Sequence, residues 1–343
     1  MMKCLRFDKE RDLKDDKSTI FLINGSRLLE KMITFCNGKC SIPIKSFTAE
    51  ELEKATNNFN EKQVPKIDGY FELYKGFLQD RPVIVKKFII KQAHQFSINE
   101  IVYASGMSVH KNVLKLLGCC LETHCPTLVF ECAEEKTLAD RIIDRDDMHF
   151  QPVPWNVRLK TAIDIANVVV YMHTAFPRPI VHRNIKASNV LLDRNSVAKL
   201  SDFSLCVSIP EGETYVEDIV AGTVGVIAPE SLATGYFNEK NDVYSFGVLL
   251  LVLLTGQRSF DNTRVETGDE FLLVNHVKKY LRMNRFKEMF DPFILGEAVK
   301  EQQLESVGAL AIKCIDDSAE KRPEMIEVAK ELIRIYRSAI DPC

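Results

Sequence analysis

The stretch Ile180–Asp193 organises this chain, because it sets a run of polar functional side chains between two apolar ends. It reads His182-Arg183-Asn184-x-Lys186-x-x-Asn189, entered by Ile180-Val181 and left by Val190-Leu191-Leu192. Asn184 decides what chemistry is open to it. A carboxylate at that point accepts a proton from a hydroxyl, whereas a carboxamide is neutral and does not. The cysteines offer little else. There are 10, without a regular framework. Cys36-x-x-x-Cys40 has the look of a metal pair, but no second ligand pair lies nearby, so both read as loop thiols. Cys119, Cys120, Cys125 and Cys132 sit among apolar residues and read as small core hydrophobes.

The elements that must position this stretch follow from periodicity. Residues Met1–Lys17 are charged and without pattern. Ile20-Phe-Leu-Ile23 is apolar. Leu28, Leu29, Met32 and Ile33 then recur at helical spacing, and Asn37-Gly38 ends that short helix. Thr48 and Glu51 predict a capping box, with Phe47 and Leu52 as a hydrophobic staple, and a helix to about Asn57. Tyr70–Tyr74 and Pro82–Phe88 are aromatic and β-branched strands about a turn near Gln79-Asp80. Ser97–Gly106 is helical, and Val113–Cys120 and Pro126–Glu131 are further strands. Beyond Glu134 helices dominate: Trp155–His173, striped by Leu159, Ile163, Ala166 and Val170; Asn241–Thr255, apolar nearly all round and hence buried; then Asp269–Asn284, Leu304–Asp316 and Met325–Ser338. Val190–Leu192 and Ala198–Leu200 make a hairpin directly after the organising stretch.

The bulk numbers agree with a folded domain. The 343 residues suit one two-lobed domain or two small ones, and 46% are hydrophobic. Net charge is −3, with 45 Lys+Arg against 48 Asp+Glu, which argues against nucleic acid or an anionic membrane as main partner. No signal segment stands at Met1, so reduced thiols and a cytosolic compartment are expected. Residue 2 is Met, which leaves no glycine for N-myristoylation. The longest apolar run, Val248–Leu254, is too short for a transmembrane segment.

From about Phe47 to Arg337 the chain resembles a eukaryotic protein kinase. Phe47–Phe59, Val113–Cys120 and Asp242–Gly247 resemble the plant receptor-like cytoplasmic kinase group in particular. The resemblance implies an α+β, bilobal kinase fold: an N-terminal extension over 1–46, a β-rich N-lobe over 47–133 and a larger helical C-lobe over 134–343. It also assigns roles. Val83-Ile-Val-Lys86 resembles the V-A-I-K strand, whose Lys pairs with nucleotide phosphates and with a helix Glu, here Glu100. His182-Arg183-Asn184 stands where the family has H-R-D, and Asn189 matches its metal-binding Asn. Asp202-Phe203-Ser204 resembles D-F-G, so Asp202 with Asn189 would hold Mg²⁺. Ala228-Pro229-Glu230 resembles A-P-E, its Glu pairing with Arg322. Asp242 would bind the backbone of the catalytic loop.

Three departures matter. Asn184 removes the base. Ser204 replaces a glycine that tolerates unusual φ cheaply. Aligning Tyr74-Lys-Gly76 with the end of the glycine-rich loop puts Lys66, Asp68 and Phe71 at the three glycine positions, with only Gly69 nearby; side chains there obstruct the close approach of backbone amides to phosphate. The expectation is therefore a pseudokinase that requires no cofactor and binds ATP and Mg weakly if at all. Within the group it resembles the ZED/ZRK-type pseudokinases. That likeness implies a cytoplasmic adaptor in innate immunity, recruited to the plasma membrane through its partners: an NLR immune receptor and an active cytoplasmic kinase modified by a bacterial effector. The alternatives are a weakly active Ser/Thr kinase, since Lys86, Glu100, Asn189 and Asp202 persist, and a nucleotide sensor without chemistry. Two surfaces are expected to meet partners. Leu205–Thr223, polar and turn-like at Pro210–Glu213, is expected to be mobile until bound. Leu28, Leu29, Met32 and Ile33 are expected to pack partly on the small lobe and to present the rest to the receptor.

Overall fold

Thr48 opens the first regular packing layer. Its hydroxyl accepts from the Glu51 amide (3.1 Å) while Glu51 accepts from the Thr48 amide (2.8 Å), capping helix α2 (Ala49–Ala55) from both sides. Phe47 and Leu52 then drop into one cluster with Tyr74, Val83, Val85 and Val129, so capping chemistry and burial agree on where the helix starts. The computed structural model describes residues 16–38, 44–60, 66–68, 70–133, 136–145, 152–266, 268–297 and 300–340. It falls into two units, Met1–Ile98 with Leu117–Val129, and Asn99–Leu116 with Phe130–Cys343. The division is not a single cut near residue 133, because the chain passes between the units three times, and the extension before Phe47 belongs to the first.

That first unit is built on a six-stranded sheet, in the order β1 (Lys45–Ser46), β5 (Leu116–Cys120), β6 (Thr127–Glu131), β4 (Arg81–Phe88), β3 (Phe71–Leu78), β2 (Lys66–Asp68). β3 and β4 pair antiparallel from Phe71↔Phe88 to Leu78↔Arg81. The two-residue turn between them places both Gln79 and Asp80 at positive φ (52° and 58°), the turn whose twist suits a hairpin. β1 lies parallel to β5, and a Cβ on Gly118 would stand 2.3 Å from the Lys45 carbonyl oxygen, so that pairing requires glycine.

The extension differs from the short helix expected. α1 runs over 20 residues, Lys17–Cys36, and takes in the whole of Ile20–Ile23. Asn24 is the reason it is anchored. Its amide donates to the carbonyls of Leu121 (2.8 Å) and Thr123 (2.9 Å), and its Oδ1 lies 2.6 Å from His94 Nε2. Asn24 and Leu28 are buried on this face. Cys36 closes the helix and is disulfide-bonded, which corrects its reading as a reduced loop thiol; Cys40 lies outside the described residues. Cys119, Cys120 and Cys125 are buried free thiols as expected, but Cys132 is exposed rather than part of the core.

The second unit is helical. Its axis is α7 (Glu239–Thr255), buried along nearly its whole length as its all-round hydrophobicity requires. Against it stand α5 (Trp155–Thr174), α9 (Leu273–Arg282) and α11 (Glu301–Cys314), while α12 (Met325–Ile340) packs on α5 and α11. The buried face of α5 is broader than a stripe: Leu159, Ala162, Ile165, Ala166 and Val169 are buried, while Ile163 and Val170 are only partly so. A fully buried ion pair, Arg158 to Asp291 at 2.8 Å, ties the start of α5 to the short helix α10 (Pro292–Leu295). α3 (His94–Gly106) passes from the first unit into the second after Ile98. Among the described residues no helix is long and apolar enough to cross a membrane.

Candidate functional site

In the second unit the organising stretch is suspended from α7. Asp242, buried on that helix, accepts from the amides of His182 (2.8 Å) and Arg183 (2.9 Å). These bonds hold a turn in which Arg183 takes φ 70°, a conformation costly for a non-glycine residue. Strand β7 (Ile180–Val181) leads in, and the hairpin of β8 (Val190–Leu192) and β9 (Ala198–Leu200) leads out. Burial pushes the His182 imidazole below its ordinary pKa, so it serves as a neutral wall against the Phe203 ring, 5.2 Å away between centroids.

Three predicted site residues come together here. Asn184 Oδ1 accepts from the Thr223 hydroxyl (2.8 Å), which itself accepts from Lys186 Nζ (2.8 Å). Asn184 Nδ2 makes a long contact of 3.5 Å to Asp202 Oδ2, and Asn189 Nδ2 reaches the same oxygen at 3.4 Å and the Asn184 carbonyl at 3.0 Å. Asp202 is at φ 66°. Ser204 is not among the positive-φ residues, so replacing glycine there costs no backbone strain in this conformation. Instead its hydroxyl donates to Asp202 Oδ1 (2.7 Å). Both oxygens of Asp202 thus face protein donors. Asn99 on α3 donates to the carbonyls of Ser204 (3.1 Å) and Cys206 (2.9 Å), fixing the following turn.

The segment expected to be loose is tied down at several points. Arg183 Nη1 donates to Asp218 (2.5 Å), Nη2 to the Ile219 carbonyl (2.7 Å), and the guanidinium stacks 4.1 Å above the Phe237 ring. Strand β10 (Val207–Ser208) pairs with β7, and β11 (Val216–Glu217) with β12 (Tyr236–Phe237). Arg322 grips Glu230 with two bonds (2.7 and 2.9 Å), as the motif order implies.

In the first unit, Lys86 is buried on β4 with Nζ 3.8 Å from the centroid of the Phe71 ring and 5.2 Å from that of Phe88. The Phe71 side chain at a glycine position is therefore buried against the lysine meant for phosphate. β2 pairs with β3 with Asp68 opposite Phe71, so Lys66 and Asp68 lie in strand rather than in an open loop; Gly69 lies outside the described residues. Glu100 is buried on α3, in the second unit.

The expected partner residues divide. Leu28 is buried and Met32 half-buried, but Leu29 (60%) and Ile33 (53%) are exposed on the opposite face of α1. Leu22, at 67%, lies seven residues before Leu29 and extends the exposed face; it was legible only once the helix was known to begin at Lys17. Asp218 and Asn99 also carry the site, and neither had been assigned a role, because neither carries a local signal.

The profile of the family described as protein tyrosine and serine/threonine kinase matches residues 68–332. Three Arabidopsis thaliana proteins align over most of the chain. "Serine/threonine-protein kinase ZRK1" is 41% identical over 96% of this chain and 95% of its own length. "Non-functional pseudokinase ZRK2" is 39% identical over 96% and 93%. "Non-functional pseudokinase ZED1" is 42% identical over 91% and 94%. With its suspended His182–Asn189 turn, its Asp202 and its Glu230–Arg322 clamp, this chain belongs to the protein kinase family, in the ZED/ZRK group.

Proposed function

We propose that this chain is a catalytically impaired kinase that works as an adaptor. The observation that carries the reading is Asn184. The base position holds a neutral amide, locked between Thr223 and Asp202, while the scaffold around it is intact. Loss of general-base catalysis costs about 10²–10⁴-fold in rate. The Phe71 ring on Lys86 adds a second obstacle, in the part of the fold that handles phosphate. Two of the aligned relatives are named non-functional pseudokinases and one a serine/threonine kinase, so relatedness favours impairment.

A second reading has its own support. Lys186, Asn189, Asp202 and Thr223 are joined to Asn184 in one hydrogen-bonded network, and phosphoryl transfer rests largely on positioning and metal electrostatics. The donor set fits Mg²⁺ in a limited way. One carboxylate and one amide oxygen suit an ion that keeps several waters, and Asp202 with Asn189 would hold it. That ion would neutralise phosphate charge, but Ser204 already occupies one Asp202 oxygen. ATP and Mg²⁺ are thus weak ligands at most in our reading. Purified protein with labelled ATP and a generic substrate tests it. Metal-dependent phosphorylation abolished by Lys86→Met would establish the weak kinase instead, and recovery by Asn184→Asp alone would show that nothing but the base is missing.

As an adaptor the chain would act in the cytoplasm, recruited to the plasma membrane through its partners. It would link an NLR immune receptor to a cytoplasmic kinase altered by a bacterial effector. Membership of the ZED/ZRK group motivates this, and two exposed surfaces support it. One is the Leu22–Leu29–Ile33 face of α1. The other spans Tyr215 to Tyr236, with Ile219, Val220, Val224 and Leu232 exposed and no Lys or Arg between Lys199 and Lys240. Affinity purification of the tagged chain from plant tissue, with identification of what accompanies it, tests the pairing. Recovery of neither an NLR nor a kinase would remove the adaptor role.

A further inference from the structure

Lys186, Thr223, Asn184 and Asp202 form a chain of hydrogen bonds with one direction. Lys186 Nζ donates to the Thr223 hydroxyl (2.8 Å), which directs its own proton to Asn184 Oδ1 (2.8 Å). That proton orients the amide. With Oδ1 taken up, Asn184 Nδ2 is turned to Asp202 Oδ2 at 3.5 Å. The opposite orientation would set an amide oxygen against a carboxylate oxygen, two acceptors with no proton between them. The chain thus runs from a cation through two neutral groups to an anion, and each bond polarises the next in the same sense.

Asp202 is approached from its other oxygen as well. Ser204 Oγ donates to Oδ1 (2.7 Å), and Asn189 Nδ2 reaches Oδ2 at 3.4 Å. Asp202 needs such support, because its φ of 66° is one that a non-glycine residue keeps only where its surroundings impose it. The turn beyond it is held by Asn99, which donates to the carbonyls of Ser204 and Cys206. The alternatives at the two departing positions would both weaken this arrangement. A carboxylate at 184 would set two like charges against each other, a contact that favours a cation between them. A glycine at 204 would take the hydroxyl from Oδ1. The departures at Asn184 and Ser204 therefore share one effect: each brings a donor to the same carboxylate.

We propose that Asn184 and Ser204 jointly take the place of a divalent cation at Asp202. They act as positioning residues. They hold the carboxylate and the turn through Cys206 in one arrangement whether or not Mg²⁺ is supplied, and they weaken Asp202 as a ligand for it. Asn184 is then more than a lost base: it makes this part of the segment independent of metal. The proposal rests on the impaired-kinase reading, yet its test is separable, since turnover is read with nucleotide and substrate and the measurements below contain neither.

The test uses the full chain with Mg²⁺ alone as the probe, at ionic strength matched with NaCl. The unaltered chain should melt at the same temperature in EDTA and in millimolar Mg²⁺. Asn184→Asp should melt roughly 5 °C lower in EDTA and recover on addition of Mg²⁺. Hydrogen exchange at Phe203–Cys206 should slow with Mg²⁺ in that variant and stay unchanged in the unaltered chain. A merely structural role for Asn184 would lower the melting temperature without making it depend on the metal. Ser204→Ala keeps the backbone restricted and removes the hydroxyl, so it tests the second donor even where Asn184→Asp fails to fold. It should bind Mg²⁺ about three- to tenfold more tightly than the unaltered chain, by calorimetry, as expected when a competing bond to a charged acceptor is lost. The proposal is overturned if Mg²⁺ stabilises the unaltered chain as much as Asn184→Asp, or if Asn184→Asp is fully stable in EDTA. It is also overturned if Ser204→Ala binds Mg²⁺ no more tightly.

Discussion

Arg183 and Asp218 form an ion pair at 2.5 Å in which the arginine side chain is 1% exposed and the aspartate 37%. The same guanidinium bonds the Ile219 carbonyl and lies on Phe237, so one side chain gathers the loop, the segment and β12. Segments of this kind are commonly ordered by a phosphate that meets an arginine. Here a built-in carboxylate does the work, and the segment is held without modification.

Asp218→Ala should therefore loosen Leu205–Thr223. It strands a buried guanidinium, but the partner is partly exposed, so the loss should be about 1–3 kcal/mol rather than the full cost of breaking a buried pair. Hydrogen exchange should quicken at Val216–Ile219 and around β12, with a lowered melting temperature. Unchanged protection there would mean the strand pairing alone holds the segment.

The Phe71 ring on Lys86 yields a second prediction. Phe71→Gly would open a hole in the core, a loss of about 3–5 kcal/mol, so Phe71→Leu is the cleaner variant. It keeps an apolar side chain and removes the cation–π contact, worth up to about 2 kcal/mol when desolvated. Affinity for Mg–ATP, followed by calorimetry, should rise about three- to tenfold. An affinity equal to that of the unaltered chain would show that other positions in the β2–β3 hairpin are limiting.

These two contacts also mark what the residues alone could reveal. Elements whose cause is local were legible: the Thr48–Glu51 box, the Gln79-Asp80 turn and the apolar α7 all came out where periodicity and capping placed them. Roles fixed by motif order were legible too, as the Asp242 bonds and the Glu230–Arg322 pair show. Tertiary partners without a local signal were not. Nothing in Glu217-Asp218 announces an arginine clamp, and Phe71 could be read as an obstruction but not as a lid on Lys86. The pattern marks only Leu28–Ile33 as a helix apart from Ile20–Ile23; Asn24, bonded to two carbonyls of the sheet unit, holds both in one helix.

Asn24 also gives α1 a pH dependence. Burial, and then the nearby Arg27 charge, hold the His94 pKa below its ordinary value. With the folded pKa depressed, the unfolded state binds more protons as pH falls through the unfolded value of about 6.5. The His94 contribution is thus full above that value and is lost as pH drops through and below it. Exchange of α1 amides should accelerate between pH 7.5 and 5.5, relative to α12. Asn24→Ala should speed exchange at both pH values and reduce the difference between them. An α1 exchange rate that, after correction for intrinsic chemistry, follows α12 across this range would contradict the account.

The two faces of α1 permit a separation of folding from recognition. Leu28 and Asn24 are buried against the first unit, whereas Leu22, Leu29 and Ile33 stand in solvent seven and four residues apart, one line along the helix. An isolated helix of this length is marginal in water, so the buried face must supply its stability. An exposed line of three large aliphatic residues supplies none, and it fits the groove-docking mode of amphipathic helices. Leu28→Glu should then lower the melting temperature markedly, as a buried unpaired charge does. Leu29→Glu and Ile33→Glu should each leave it within about 0.5 kcal/mol of the unaltered chain, the range of ordinary surface changes. If the adaptor reading is right, these same two changes should weaken association with the immune receptor tenfold or more in a pull-down or binding titration. Destabilisation by Leu29→Glu would return that residue to the packing face. Full receptor binding by the stable double variant would take α1 out of the interface, and leave the acidic, apolar surface between Tyr215 and Tyr236 as the place to look.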